Sequence, residues 1–477
     1  MNLPKQKRNA LSVKFIALLM IPILPAFAPP ASAQSSHPFP SRALSEEDLQ
    51  QPAETSSALA DTLAPQTLIL ERIEIQGATK TRPEVIRRYL RMKEGAALTP
   101  EIFSHDYDAL TATNFFKRVD FSSRPGSAPG KLVMVIEVQE RRWPWLEVAG
   151  GFSELEGWYL IPIGVRADNL FGGGGIGGGR FIIADRTGGF YWHYREPEIF
   201  GSPWDLQLKL GAFDREFSHY LAGDEFFQKI KQENLSLALS GRRGWTQYFS
   251  AGGNFNTWTP EAELRSARRD STSTVFPAPL SLQLEQRRSN SAFLRAQLDT
   301  RDQAAFPRRG FWGALQFEKT FKDSRPEALA FSRVVLDARA YRAFGKNVLA
   351  LRAKAARVSE AAPFYERFYL GGAYSVRGFA ERSLTPLGWG SEMALGQIEL
   401  RFPLAGAPQH PSLSAALFLD AGHLKGFKNA KTGKELFVAA GYGFRLKLPL
   451  LGLLRCDFAY PLDRDDFRFH VSLGHTF

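Results

Sequence analysis

From Trp143 to the C-terminus the sequence is built of short segments, roughly 8 to 14 residues each, in which apolar and polar side chains alternate between clusters of Gly, Pro, Asn and Asp. Period-two alternation puts the two sets on opposite faces of a strand. Between Glu435 and Lys447, Leu436, Val438, Ala440, Tyr442, Phe444 and Leu446 oppose Glu435, Gly441, Gly443, Arg445 and Lys447; between Leu413 and Gly422, Leu413, Ala415, Leu417 and Leu419 oppose Ser414, Phe418, Asp420 and Gly422. The same rule puts Tyr159, Ile161, Ile163 and Val165 on one face, against Gly164 and Arg166. One face is wholly apolar and the other carries charge, which suits lipid outside and a polar lumen inside. About sixteen such segments follow one another from Trp145 onward, and an even number returns the chain to its starting side. Long connections are expected at about 215–230, 257–290, 360–390 and 423–434, all at one end of the barrel.

The composition supports strands over helices as the spanning element. Mean hydropathy is −0.22, and after the first 30 positions no run of 18 apolar residues occurs, so no helical span is expected. A lone cysteine, Cys456, excludes a disulfide framework and a multi-thiolate metal cage, and no cofactor or metal is expected. The net charge of +11 raises nucleic acid as a partner, but no basic run with interleaved aromatics supports it. Part of that charge belongs to the N-terminus. Lys5, Lys7 and Arg8 precede an apolar stretch and Ala31-Ser32-Ala33, the layout of a signal peptide over residues 1–33. Residues 34–67, rich in Pro, Ser, Ala and Gln without apolar periodicity, read as a disordered linker.

Residues 68–142 read as a separate α+β domain of order β-α-α-β-β. A half-buried strand around Ile73 and Ile75 ends at Gly77. A first helix opens with the capping box Thr81-Arg82-Pro83-Glu84 and buries Val85, Ile86, Tyr89 and Leu90; a second has Thr99 as cap and Pro100 at its first position, and buries Ile102, Phe103, Tyr107 and Leu110. Two strands, 115–123 and 131–139, complete it.

Gly172, Gly174 and Gly177 satisfy G-x-G-x-x-G, but a strand rather than a helix follows, so they read as a barrel turn and not a dinucleotide site. Hydrolase, P-loop and zincin motifs are absent, and no enzyme is expected. The chain ends in Phe477, with Phe469, Val471 and Leu473 alternating ahead of it, which reads as a last outward-facing strand with a terminal aromatic.

Val376-Arg377-Gly378-Phe379, inside the long connection at 360–390, resembles the V-R-G-F/Y motif of the BamA and TamA outer-membrane assembly superfamily. Companion residues match as well: Phe418, Asp420 and Gly422 as F-x-D-x-G; Gly441, Gly443 and Arg445; Asp299-Thr300-Arg301-Asp302 with Pro307 and Gly310; and Asn169-Leu170-Phe171-Gly172. The N-terminal domain, closing at Glu140, resembles a POTRA domain. The resemblance implies a POTRA domain before a 16-stranded antiparallel barrel over 143–477, in the outer membrane of a Gram-negative bacterium, with the POTRA domain in the periplasm. It also implies that the 360–390 connection folds into the lumen, where Arg377 meets Asp420 over Gly441 and Gly443. Pairing of Asp420 with Arg445 across adjacent strands is the alternative.

The function so implied is non-enzymatic assembly or translocation of outer-membrane or secreted client proteins. The lateral seam would lie between Glu147, Val148, Ala149 and Gly150 of the first barrel strand and Ser472, Leu473, Gly474 and Phe477 of the last. Lipid is a partner throughout, and accessory subunits are compatible with it. A two-partner-secretion transporter for one dedicated protein is the nearer alternative, and a passive porin-like barrel the one of a different class.

Overall fold

The computed structural model describes residues 68–141, 144–153, 156–221, 224–243, 246–266, 284–303, 306–428, 433, 435–448, 452–474 and 477. The expected signal peptide and linker, residues 1–67, lie outside them.

The N-terminal domain consists of β1 (Ile69–Gln76), α1 (Pro83–Arg87), α2 (Pro100–Ala112), β2 (Phe116–Pro125) and β3 (Lys131–Glu140). β3 lies in the middle, parallel to β1 and antiparallel to β2. Leu70, Ile73, Leu132, Met134, Ile136 and Val138 turn one face of the sheet against Val85, Ile86 and Leu110 of the helices. Thr99 caps α2, its side chain accepting from the Ile102 amide at 3.4 Å. The capping box of α1 is not made. Arg82 occupies the cap position without a side-chain bond, while the Thr81 hydroxyl accepts from Asn169 at 2.6 Å and donates to Glu140 at 2.7 Å, and the Thr81 amide also donates to Glu140. Phe103 and Tyr107 are exposed rather than buried, and both meet Phe121 edge-on.

Sixteen antiparallel strands follow: β4 (Trp145–Ser153), β5 (Gly157–Leu170), β6 (Gly175–Ala184), β7 (Thr187–Glu196), β8 (Trp204–Leu221), β9 (Asp224–Arg243), β10 (Gln247–Ser266), β11 (Arg287–Asp299), β12 (Gly310–Phe321), β13 (Ser332–Phe344), β14 (Asn347–Val358), β15 (Glu392–Ala407), β16 (His410–Leu424), β17 (Leu436–Leu448), β18 (Gly452–Pro461) and β19 (Arg468–Leu473). Each pairs with its sequence neighbour, and the sheet runs β19 through β4 in order. Leu417, Leu419, Tyr442, Phe444 and Leu446 are exposed on the outer wall, while Phe418, Asp420, Gly443 and Arg445 are buried inside.

Two expectations are corrected by the ladders. A register shift between Leu160 and Gly164 in the β5–β6 pair reverses the faces within β5: Trp158 and Leu160 point out, Ile161 is buried, and Ile163 and Val165 point out beyond the bulge. Tyr159 and Ile161 therefore do not share a face with Ile163 and Val165. The connection expected at 215–230 is a continuation of β8 and β9, paired as far as Leu221 and Asp224, and β10 likewise runs to Ser266. Alternation of apolar with polar residues fades there because Asp214, Lys231 and Glu233 take the outer face, while the inner face covers buried Phe217, His219, Gln228 and Ile230.

The N-terminal domain sits on the β5–β6 turn. Asn169 donates to the Thr81 hydroxyl at 2.6 Å, the Arg82 amide donates to the Gly172 carbonyl at 3.1 Å, and Arg88 donates to the Gly173 carbonyl while pairing with Glu198 at 2.7 Å. Glu140 gathers Thr79, Lys80 and Thr81 into the docked turn. Burial opposes its charge, but these donors outweigh it and hold the Glu140 carboxyl below the usual carboxylate range. Its contribution is therefore present above the unfolded value and lost as pH falls through the lowered folded one.

Gly172 sits at φ +71, and a Cβ there would lie 1.9 Å from the Lys80 carbonyl oxygen. Gly172→Val should thus release the domain, seen as faster proteolysis between domain and barrel with heat-modifiable migration of the barrel unchanged. For the barrel register, Lys209→Cys should react with a water-soluble maleimide in intact membranes and Leu210→Cys should not. The reverse pattern would overturn the facing.

Candidate functional site

The connection between β14 and β15, residues 359–391, folds inward and is mostly buried, without a break from Leu370 to Phe379. A loop of this length carries many polar backbone groups, so it needs partners on the wall. Gly371–Leu384 closes on itself through Arg382 N to Gly371 O and Leu384 N to Leu370 O. The segment so bent presents Val376, Arg377, Gly378 and Phe379 to β15–β18.

Arg377 is wholly buried. Its Nε and Nη2 donate to the two oxygens of Asp420 at 2.7 and 2.8 Å, its backbone amide reaches Asp420 Oδ2 at 3.1 Å, and its Nη1 donates to Glu399 Oε2 at 2.9 Å, with Asp457 3.5 Å away. The guanidinium carbon lies 3.4 Å from the centre of the Phe418 ring. Arg445 joins Glu399 at 2.9 Å to Asp457 at 2.8 Å, and Arg455 reaches Asp457 at 3.1 Å. Three guanidiniums thus interleave with three carboxylates, all at 0% side-chain exposure.

Glycines make the room. A Cβ on Gly443 would stand 2.1 Å from Asp457 Oδ1; one on Gly441 would stand 2.6 Å from the Phe418 ring; one on Gly422 would strike Val376 at 2.4 Å. Phe379 meets Phe437 edge-on at 5.7 Å, and Gly378 holds φ +98 against Ala439 and Pro461. The Asp420–Arg445 alternative is not what forms, because Arg445 is occupied by Glu399 and Asp457.

Glu399, Asp457, Arg455, Gln397 and Arg401 were not singled out from the sequence. The signal was present: Gln397, Glu399 and Arg401 alternate with Gly396, Ile398 and Leu400, and Arg455 and Asp457 with Leu454 and Cys456. Gln397 donates to the Ser375 carbonyl at 2.8 Å and to Asp420 at 3.2 Å. The loop has a second anchor, where Phe364 and Tyr365 pack with Phe217, Trp258 and Trp389 and Arg333 pairs with Glu366. It therefore crosses the lumen from β8–β10 to β15–β18. Among the described residues no His, Cys, Asp and Glu group is arranged for a metal, and the site's carboxylates are all taken by guanidiniums.

At the seam, among the described residues, no backbone ladder joins β19 to β4, although every other neighbouring pair of barrel strands has one. Ala149 and Gly150 lie just past a register shift in the β4–β5 pair, Ser472 is buried, and the side chains of Glu147 and Val148 lie outside the described residues. The outward-facing terminal aromatic is corrected. β19 stops at Leu473, Gly474 turns at φ +82, and Phe477 is buried against Tyr341 and Ala350. Arg401 draws it there, donating to the Phe477 carbonyl at 3.1 Å and lying over its ring.

Truncating Arg377 leaves Asp420 and Glu399 buried beside an empty socket. Arg377→Ala should cost about 3–5 kcal/mol, measured as a lower melting temperature and release of the loop to protease. Arg377→Lys should recover little, since an ammonium cannot make the bidentate contact. The exchange Arg377→Asp with Asp420→Arg should fail to rescue, because a carboxylate at 377 would face Glu399 and Asp457. Recovery by that exchange would show that the pair is isolated.

This fold has counterparts among known proteins. Residues 169–477 match the Omp85 superfamily domain, and residues 69–141 match the POTRA, surface antigen variable number repeat. The chain is 24% identical to the outer membrane protein assembly factor BamA of Nitratidesulfovibrio vulgaris over 86% of its length and 52% of the relative's, and 24% identical to BamA of Neisseria meningitidis over 86% and 57%. It is also 24% identical to chloroplastic outer envelope protein 80 of Arabidopsis thaliana, over 83% and 54%. The chain thus spans about half the length of the curated relatives it matches. Among solved structures, BamA from Haemophilus ducreyi lacking POTRA domains 1–3 superposes with a TM-score of 0.65 at 20% identity, covering 85% of this chain and 84% of that one. CdiB from Acinetobacter baumannii gives 0.53 at 17%, covering 86% and 74%. The chain belongs to the Omp85 superfamily: a POTRA domain followed by an outer-membrane β-barrel.

Proposed function

We propose that the protein is a non-enzymatic machine that inserts client proteins into the outer membrane of a Gram-negative bacterium through the seam between β4 and β19, with its POTRA domain in the periplasm. The observation that carries this reading is that, among the described residues, no ladder joins β4 to β19, whereas every other neighbouring pair of barrel strands has one. An unpaired strand edge facing lipid is a template for an incoming strand, because its free N–H and C=O groups have no water to satisfy them there.

The POTRA sheet supports client capture. The start of β1 is covered by the 95–98 segment, which bonds to Leu70 through Gly95 and Ala96 and to the preceding Leu68 through Leu98, whereas β2 has β3 on one side only and can accept an extended segment by β-augmentation. Docking on the β5–β6 turn fixes the domain beside the first strands of the barrel. Unfolded barrel proteins are the proposed clients; accessory subunits would bind the same domain.

Secretion of a dedicated partner, as the likeness to CdiB suggests, is the second reading. It routes the client through the lumen, so the loop anchored at both walls has to leave. A passive pore is disfavoured by that same loop.

A covalent lock separates these readings. With Cys456→Ser as background, cysteines are placed at facing positions of β4 and β19 whose Cα atoms lie within about 7 Å. Oxidation should abolish client insertion and reduction restore it. Full insertion with the lock closed would refute lateral opening; continued secretion through a locked barrel would favour the second reading.

A further inference from the structure

We propose that Tyr374 is a clasp that holds the seam shut, so that β4 and β19 part only when this side chain lets go; the proposal rests on the reading of that seam as the gate. Tyr374 stands three residues before Arg377 and is buried. Its ring stacks on Phe152, near the end of β4, with centroids 5.8 Å apart and planes 16° from parallel. Its hydroxyl donates to the carbonyl of Leu473, the last residue of β19. One side chain therefore touches both strands where, among the described residues, no ladder joins them.

The clasp is held from behind by the buried ion network. The Arg455 guanidinium lies 4.7 Å from the centre of the Tyr374 ring and donates to the Ala373 carbonyl at 2.7 Å, and Arg352 donates to the Tyr374 carbonyl at 3.4 Å. The loop has a second hold on β19, from the Gly378 amide to His470 at 3.4 Å. Arg377 fixes the loop; Tyr374 transmits that fixation to the seam.

The bond to Leu473 is also of the kind a client would replace. The carbonyl belongs to a strand edge, and an arriving strand that pairs with β19 or β4 competes for the groups the clasp occupies. The tyrosine thus satisfies an edge acceptor in the closed state and yields it to a chain offering a whole ladder.

The barrel supplies its own ruler. Native Cys456 on the outer face of β18 and Leu160→Cys on the outer face of β5 flank the seam, one strand back on each side. Nitroxides at these positions report seam width by double electron–electron resonance in the full-length protein in nanodiscs. Tyr374→Phe removes the hydroxyl and keeps the ring. It should raise the ratio of wide to narrow populations roughly three- to tenfold, the range for loss of one net hydrogen bond. Phe152→Ala removes the stack from the other side without touching the loop and should shift the ratio in the same direction; it decides the matter if Tyr374→Phe loses heat-modifiable migration.

Distributions in both variants that superimpose on the unmutated protein overturn the clasp, whatever insertion does. Insertion of a urea-unfolded barrel protein into liposomes is then measured with the same substitutions. Faster insertion with a wider seam supports clasp and gate together. A wider seam with unchanged insertion leaves the clasp standing and refutes the gate reading.

Discussion

A guanidinium removed from water must find its charge and all its donors answered by protein, and Arg377 imposes that demand on the barrel. Its planar fork fits one carboxylate bidentately, which Asp420 provides. The donor left over reaches Glu399, which needs further cations because it is itself buried, and Arg445 and Arg401 supply them. Asp457 and Arg455 close the series. Each member is tolerable only because the others are present, so the network acts as one unit spanning β15–β18 and the loop. Small residues follow from the same demand: side chains at 441 and 443 would occupy the space that the Phe418 ring and the Asp457 carboxylate fill.

From this fixed point the barrel becomes uneven. The wall from β15 to β18 is braced from inside by a buried loop, a second aromatic anchor ties that loop to β8–β10, and among the described residues the two ends of the sheet face each other without a ladder. A closed barrel removes strand edges; this one keeps a pair of them and covers the junction with side chains. Phe477 turns inward to Arg401, and β19 ends at Leu473. The stiffness of one wall and the weakness of the seam belong to the same arrangement.

Much of this was legible in the residues. Period-two alternation in 413–422 and 435–447 placed Asp420 and Arg445 in the lumen, where the structure puts them. The resemblance at Val376–Phe379 implied the Arg377–Asp420 meeting, and that contact is present. What escaped has physical causes. The bulge in β5 swaps faces without any change in composition, so alternation misassigned Tyr159 and Ile161. The capping box at Thr81 failed because two residues far away in sequence took its partners: Asn169 donates to the Thr81 hydroxyl, and Glu140 accepts from the Thr81 amide that Glu84 would have bonded. β8 and β9 were cut short because strands that rise past the apolar band lose the pattern that marks them. Phe477 was misread because its burial depends on Arg401, 76 residues earlier, and no local pattern encodes such a contact.

Backbone hydrogen exchange, resolved residue by residue in nanodiscs, tests the central claim most directly, because it reads the ladders themselves. Within β4, amides directed at β5 should be protected while those directed at the seam exchange nearly as fast as open chain. Amides of β15–β17, next to the buried ion network, should be the slowest in the barrel. Protection of the seam-facing amides of β4 to the level of β16 and β17 would show a closed ladder between β4 and β19, and would contradict the account.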